Sequence, residues 1–250
     1  MGIERYGSRE LEVLRSAGRI AAQTLAFVGE RLAAGMNTRQ IDQLVREDTA
    51  RHGGRPSQLG YHGFPAAVCT SRNQVVCHGI PSEREPLRDG DIINVDVTTE
   101  WEGFHGDTSA TFKIGQVSAE AERLVEVARR CLWAGIEQVR PNSRFGDVGA
   151  AIQELAEREG YSVVRDFGGH GIGRRMHMDP HVAHVGPRGS GLRLKPGMTF
   201  TIEPMINQRG PTVRMLDDGW TVVTADGGLS AQFEHTVYVT HDGYEVLTHP

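Results

Sequence analysis

The sequence predicts an α+β domain built from two similar halves. An internal repeat carries most of that prediction. "LRDGDIINVD" (Leu87–Asp96) and "LKPGMTFTIE" (Leu194–Glu203) each read Leu, a basic residue, any residue, Gly, then a β-rich run ending in a carboxylate, at an offset of 107 residues. "NTRQID" (Asn37–Asp42) and "NSRFGD" (Asn142–Asp147) match at an offset of 105 residues. The second observation is order: helix, Asn-Ser/Thr-Arg turn, helix, loop and strand occur in that succession twice. Two copies of this length are too few and too long for a solenoid.

Along the chain, Glu10–Ala34 and Ala119–Val139 read as long helices. Asn37 and Asn142 read as N-caps, since Asn accepts from the free N–H groups of a helix start. Each precedes a second helical pattern, Ile41–Gly53 and Val148–Gly160. Asp91–Ile114 reads as a hairpin with its turn near Trp101–Gly103, and "MTFTIEPMI", "GWTVVTAD" and "QFEHTVYVT" read as further strands. No linker rich in Pro, Ser or Gly separates the halves. The expectation is one domain over residues 1–250, with halves of roughly 1–115 and 116–250 and a site where they meet.

Bulk properties narrow the class. Hydrophobic residues are 38% of the 250 and charged residues 24%, enough for a sizeable core. The net charge is -5 without any run of like charge, so neither a sequence-specific nucleic-acid surface nor an acidic tail is expected. The first residues, MGIERYGSRE, are too polar for a signal peptide, and no stretch approaches the length of a bilayer span. Tyr6 stands where a myristoylation motif needs Ser or Thr. Cys69, Cys77 and Cys131 are odd in number and lack CxxC spacing, which points to a reducing cytoplasm rather than a disulfide scaffold.

The chemistry lies in acids on strands. With a turn centred on Trp101–Glu102, Asp96 falls opposite Asp107, and opposed residues share a face about 5 Å apart. Glu203 occupies the place in the second half that Asp96 holds in the first, and Glu234 lies inside "AQFEHTVYV". A single strand acid is most often on a wet face. Four of them, two related by the repeat, read better as converging on one place, where cations offset their repulsion. "FGGHGIGRRMHMDP" (Phe167–Pro180) supplies a histidine. Gly169, Gly171 and Gly173 do not have the spacing of a dinucleotide loop, so the phosphate reading fails. Glycines around His170 keep bulk from its imidazole, which suits a metal ligand. His177 and His181 have the i, i+4 spacing of a zinc helix, but "HMDPH" lacks its Glu and Pro180 breaks a helix. His181 and His184 are read as surface or loop residues. Four carboxylates with one imidazole favour Mn, Fe(II), Co or Mg over thiolate-type zinc. Paired metals activate water for hydrolysis.

"VCHGIP", "NVDV", "GFHGDT", "GGHGIG", "LKPGMTFTIEPM" and "SAQFEHT" together resemble the type I methionine aminopeptidases, over essentially the whole chain. The resemblance implies the pita-bread fold, two pseudo-symmetric halves whose curved antiparallel sheet is flanked by helices. His170 and Glu203 are only 33 positions apart, which leaves little room for the insertion of the second class. It implies metal ligands Asp96, Asp107, His170, Glu203 and Glu234, with Asp107 and Glu234 bridging two divalent cations drawn from Co, Mn, Fe(II) or Zn. His78 would contact the scissile amide nitrogen, His177 the carbonyl oxygen, and Glu203 would move the proton of the attacking water. Tyr61, Phe64, Cys69, Met176 and Trp220 match the methionine pocket, with Gln58 nearby. Bacterial members often carry Cys at the Gln58 position, Tyr at Phe64 and an aromatic at Met176. A monovalent cation near Asn73, Val75 and Ser230 is also implied. So are a nascent-chain substrate with a small second residue, a transient ribosome contact, and removal of the chain's own Met1 before Gly2. A monomer is expected separately, because no long apolar surface stripe argues for an obligate partner.

Two other hydrolases of this fold, aminopeptidase P and prolidase, carry a large domain before the metal half, whereas only 95 residues precede Asp96 here. A non-catalytic binding relative would have lost ligands, and all five are present.

Overall fold

The computed structural model describes residues 2–249. Met1, expected to be removed, lies outside the described residues. Among the described residues four α-helices are formed, α1 (Ser8–Gly29), α2 (Thr38–Arg51), α3 (Ala119–Ile136) and α4 (Phe145–Arg158), with a short 3-10 turn at Tyr61–Gly63. The strands are β1 (Arg55–Pro56), β2 (Cys69–Arg72), β3 (Val75–Cys77), β4 (Ile92–Trp101), β5 (Phe104–Lys113), β6 (Ser162–Val163), β7 (Gly169–Gly171), β8 (Met178–Val182), β9 (Thr199–Ile202), β10 (Met205–Asn207), β11 (Val213–Met215), β12 (Val222–Thr224), β13 (Ser230–Gln232), β14 (Glu234–Val239) and β15 (Tyr244–Val246).

Nine strands form one antiparallel sheet in the order β1-β4-β5-β14-β9-β7-β8, with β2 added on β4 and β15 on β14. Strand β14 joins the halves, pairing with β5 through Glu234 and His235 and with β9 through His235–Tyr238. The alternation of β4 shows why this sheet can carry a site. Ile93, Val95 and Val97 enter the core formed with Ala21, Leu25, Ile41 and Val45 of α1 and α2. The intervening Asn94, Asp96 and Thr98 therefore project from the opposite face. A second core packs α3 and α4 against Phe200, Ile202 and Val237. This is the α+β, pita-bread architecture, with a curved sheet flanked by helices.

The halves repeat contact for contact at an offset of 107. The Gly35 N–H donates to Leu87 O at 2.8 Å, and the Asn142 N–H to Leu194 O at 3.1 Å. Leu87 N and Leu194 N in turn donate to Met36 O and Ser143 O, both at 2.8 Å. The isolated bridges Asn37–Pro86 and Arg144–Arg193 keep the same offset. Asn37 caps α2, accepting from Gln40 N at 3.0 Å. Asn142 does not cap α4: Arg144 holds that position. Asn142 is the counterpart of Gly35 instead, and both take positive φ, 72° and 90°. The 105-residue match thus aligned a cap with a turn: Asn37 caps through its side-chain oxygen in extended backbone, and Asn142 turns because Asn tolerates the left-handed region.

The hairpin register also differs from the expectation. Its turn is Glu102–Gly103, with φ of 49° and 79°, the two-residue turn that matches strand twist. Asp107 consequently pairs with Thr98, and Asp96 with Ser109. The two acids remain on one face as diagonal neighbours. Gly106 lets β5 approach α1 closely, since a Cβ there would run into the backbone of Gly18.

Candidate metal centre and substrate cavity

A cavity of about 190 Å³ opens where the halves meet. Asp96 on β4, Asp107 on β5, His170 on β7, Glu203 just after β9 and Glu234 at the start of β14 all line it. Ligand atoms of Asp107, His170 and Glu234 lie within 4.8 Å of one another. His170 Nε2 is 3.5 Å from Glu203 Oε1 and 3.7 Å from Asp107 Oδ2.

His170, whose flanking glycines were read as keeping bulk from its imidazole, lies on strand β7. A Cβ on Gly169 would strike Thr201 O, and one on Gly171 would strike Asp179 O. These glycines admit the neighbouring strands β9 and β8 to either side of the imidazole. The His170 Nδ1 faces Gly171 O at 3.1 Å, so the proton assigned to Nδ1 leaves Nε2 as a lone-pair donor toward the acids.

Burial raises every acid in this group. Asp107 is pushed up to about 7, and Glu203 to about 8 with the charge of Asp107 adding to burial. Asp96 and Glu234 are raised by burial first and then by the neighbouring carboxylates. Burial pushes His170 down to about 3. Asp96 Oδ1 and Glu234 Oε1 are buried without any hydrogen-bond partner. Buried carboxylate oxygens without donors call for positive charge. Oxygen-rich ligands with one imidazole and two orphaned oxygens fit divalent metal ions.

Three polar partners escaped the sequence reading. Thr98 Oγ1 donates to Asp107 Oδ1 at 2.7 Å. Thr201 Oγ1 accepts from His170 N at 2.9 Å and donates to Glu203 Oε1 at 2.7 Å. Gln232 Nε2 donates to Glu203 Oε2 at 3.3 Å. Each lies two residues from an acid, Thr98 from Asp96, Thr201 from Glu203, Gln232 from Glu234, so period-two spacing was a usable signal. His184, read as a surface or loop residue, lies in a loop but is buried, and its Nε2 accepts from Glu203 N at 3.1 Å. Pushed down to about 3 by burial, it remains neutral and able to accept. His181 is exposed as expected.

The second wall of the cavity is apolar. Phe64, Cys69, Met176 and Trp220 line it, with Tyr61 at one side and Gln58 beneath. Phe64 and Trp220 meet edge to face with centroids 5.1 Å apart. Cys69 pairs with Asp96 across β2 and β4, which joins this wall to the acids. His78 and His177 complete the lining. His78 takes the left-handed region, φ 56°, between Trp220 and Phe167. His177 stands at the mouth, its ring centroid 4.1 Å from that of His170 and 5.0 Å from that of Tyr61. Desolvation, then the nearby His78 and His62, push it down to about 4. The expected metal-ligating, catalytic and methionine-pocket residues therefore border one cavity, whereas Asn73, Val75 and Ser230 do not line it.

A hydrolytic cavity of buried acids in a sheet shared by two repeated halves defines a metallopeptidase, and residues 12–241 match metallopeptidase family M24. The chain belongs to that family and, within it, to the methionine aminopeptidases. It is 52% identical over 240 residues to methionine aminopeptidase A of Synechocystis, covering 96% of this chain and 95% of that one. It is 45% identical over 249 residues to the methionine aminopeptidase of Escherichia coli K12, covering 99% and 94%. The crystal structure of methionine aminopeptidase from Rickettsia prowazekii superposes with a TM-score of 0.98 at 45% identity, covering 99% and 100%. The prolidase from Pyrococcus furiosus shares the fold, with a TM-score of 0.79 at 19% identity, but this chain spans only 65% of it.

Proposed function

We propose that this protein is a metal-dependent aminopeptidase that removes the N-terminal methionine of polypeptides whose second residue is small. The observation that carries this reading is the junction of two unlike walls, buried acids on one side and an apolar recess on the other. Residues 1–250 act as one catalytic domain, with halves of about 1–115 and 116–250.

Asp96, Asp107, His170, Glu203 and Glu234 would hold two divalent cations, among Co, Mn, Fe(II) and Zn. Bound there, such ions supply Lewis acidity for the scissile carbonyl and lower the pKa of the attacking water. The chain's own groups do the rest. Phe64, Cys69, Met176, Trp220 and Tyr61 receive the methionine side chain and exclude water from it. His177 donates a hydrogen bond to the carbonyl oxygen as negative charge develops. His78 contacts the scissile amide nitrogen. Glu203, held by Thr201 and Gln232, takes the proton of the water and passes it to the leaving amine.

Around this centre, a monovalent cation near Asn73, Val75 and Ser230 belongs to the same reading, supported by the unpartnered, buried Ser230 Oγ. No helix among the described residues is long and apolar enough to cross a membrane. We place the enzyme in the cytoplasm as a monomer, acting on nascent chains with transient ribosome contact.

The deciding test strips the protein with EDTA and restores Mn(II), Co(II) or Fe(II). Met-Ala and Met-Leu peptides are then followed by mass spectrometry. Metal-dependent loss of Met from Met-Ala alone is the expected result. A folded protein that cleaves neither peptide with any metal is a binding protein instead.

A further inference from the structure

Arg174 and Arg175 follow β7 on one turn and differ in what engages them. The Arg174 Nη2 donates to Glu10 Oε1 at 2.9 Å, and its guanidinium lies 4.6 Å from the centroid of the Phe104 ring. Arg175 is exposed, and among the described residues it has neither an ion pair nor a side-chain hydrogen bond. Most exposed arginines are simply solvated. The place of this one sets it apart. Its backbone is pinned: Gly173 N donates to Arg175 O at 3.2 Å, Arg174 N to Tyr6 Oη at 3.3 Å, and His105 N to Gly173 O at 2.8 Å. The next two residues are Met176, buried in the apolar wall, and His177, at the mouth of the cavity. Tyr61 lies beside His177, with ring centroids 5.0 Å apart. Burial raises the Tyr61 phenol, and Arg175 is the charge that opposes it, which sets the guanidinium on the Tyr61 side of the mouth. The charges that act on His177 also belong to bases, His78, His62 and His105. The rim therefore presents a permanent positive charge without a paired carboxylate.

A polypeptide cut after its first residue leaves across this rim. With methionine in the apolar recess and the scissile bond at the acids, the rest of the chain runs out past His177. An extended chain advances about 3.3 Å per residue, so the third residue lies roughly 7 Å beyond the scissile bond, within reach of an arginine on the flanking turn. We infer that Arg175 is a specificity-determining residue of this rim: its guanidinium favours substrates with Asp or Glu as the third residue over those with Lys or Arg there. This rests on the aminopeptidase reading above and extends it to a part of the substrate that the cavity does not enclose. The hydrolytic step is unchanged. An exposed ion pair is worth about two- to fivefold in affinity. Attraction of Glu and repulsion of Lys together then separate the two substrates by about tenfold.

The test uses the Mn(II)-loaded enzyme at low salt and three peptides amidated at the C-terminus: Met-Ala-Glu-Ala, Met-Ala-Lys-Ala and the neutral Met-Ala-Gln-Ala. The readout is kcat/KM for the Glu peptide divided by kcat/KM for the Lys peptide, a ratio that cancels any common effect of a substitution on the metals or the apolar wall. The ratio in the unaltered protein is expected to exceed that in Arg175→Gln by about tenfold. Arg175→Lys keeps the charge and should keep most of the ratio, Arg175→Glu should push it below that of Arg175→Gln, and about 0.5 M salt should erase most of the difference. Arg19→Gln is the control, since Arg19 is an exposed arginine without an ion pair on α1, the helix that packs on the core face of the sheet. An equal ratio in the unaltered protein and Arg175→Gln overturns the inference. So does an equal fall in Arg19→Gln, which would assign the preference to the overall field of the protein. Absence of Met-Ala-Gln-Ala cleavage by the unaltered protein overturns the aminopeptidase reading, and this inference with it.

Discussion

Cys69 and Asp96 stand directly opposite each other on the antiparallel strands β2 and β4. One belongs to the apolar wall and the other to the acids, so a single cross-strand pair sets the distance between side-chain recognition and metal chemistry. Cys69→Phe fills the recess while leaving Asp96 in place. Its expected effect is a rise of at least tenfold in KM for Met-Ala, with metal content by elemental analysis unchanged. Loss of metal instead would show that the two walls are not separable at this pair.

The thiols should be silent. Burial first, then neighbouring acids, raise Cys69 and Cys77 well above the usual thiol range, and burial pushes Cys131 up to about 12. The thiolate is the reactive form. A disulfide reagent at pH 8 is expected to find no fast-reacting thiol in the folded protein and three after denaturation. A rapid stoichiometric reaction of the native protein would contradict the environment described for these cysteines.

In the proposed reading His177 meets developing charge, whereas the acids and His170 would hold the metals. His177→Ala should lower kcat by about 100-fold, the usual effect of removing one such donor, with little change in KM or metal content. A variant that keeps full kcat would remove His177 from the chemistry.

Metal-free protein should lose stability as pH rises above neutral. Asp107 and Glu203 are raised to about 7 and about 8 in the folded chain, from ordinary values of 3.8 and 4.5. Between about pH 4 and pH 8 these acids hold fewer protons in the unfolded chain than in the folded one, so their contribution to stability falls as pH rises. The buried histidines His170, His177, His184 and His235, pushed down to about 3 or 4, act the other way only up to their ordinary value of 6.5, so the acids govern above it. With EDTA present, Tm at pH 8 is expected below Tm at pH 7. Added Mn(II) should remove that trend, because it replaces the protons. A Tm that rises between these two pH values in EDTA would show that the acids are ionised in the metal-free fold.

Gly106 tests the packing that carries Asp107. Gly106→Ala drives a methyl into the backbone of Gly18, and overpacking of this kind costs about 3 kcal/mol. Denaturant unfolding should show that loss together with weaker metal binding. Normal stability would mean that α1 and β5 can separate freely.

Much of this was legible in the residues themselves. The alternation of Ile93, Val95 and Val97 with Asn94, Asp96 and Thr98 already sorts β4 into a core face and a site face, because strand side chains alternate by rule. The repeat placed Asp96 and Glu203 in equivalent positions, and the motifs around His78, His170 and Glu234 named the family.

By itself, then, the sequence singled out acids and histidines that line one cavity and placed the four acids on strands, since local pattern records both. Only the tertiary structure decided how they meet. It shifted the hairpin so that Asp107 faces Thr98 rather than Asp96, because the left-handed turn formed at Glu102–Gly103. It made Asn142 a turn residue instead of a cap, buried His184 under Glu203 N, and put His170 on a strand between two others. Register, burial and cross-strand partners depend on segments far apart in the chain. One residue of slip in a strand reverses every face, and no local pattern records which slip the opposing strand imposes.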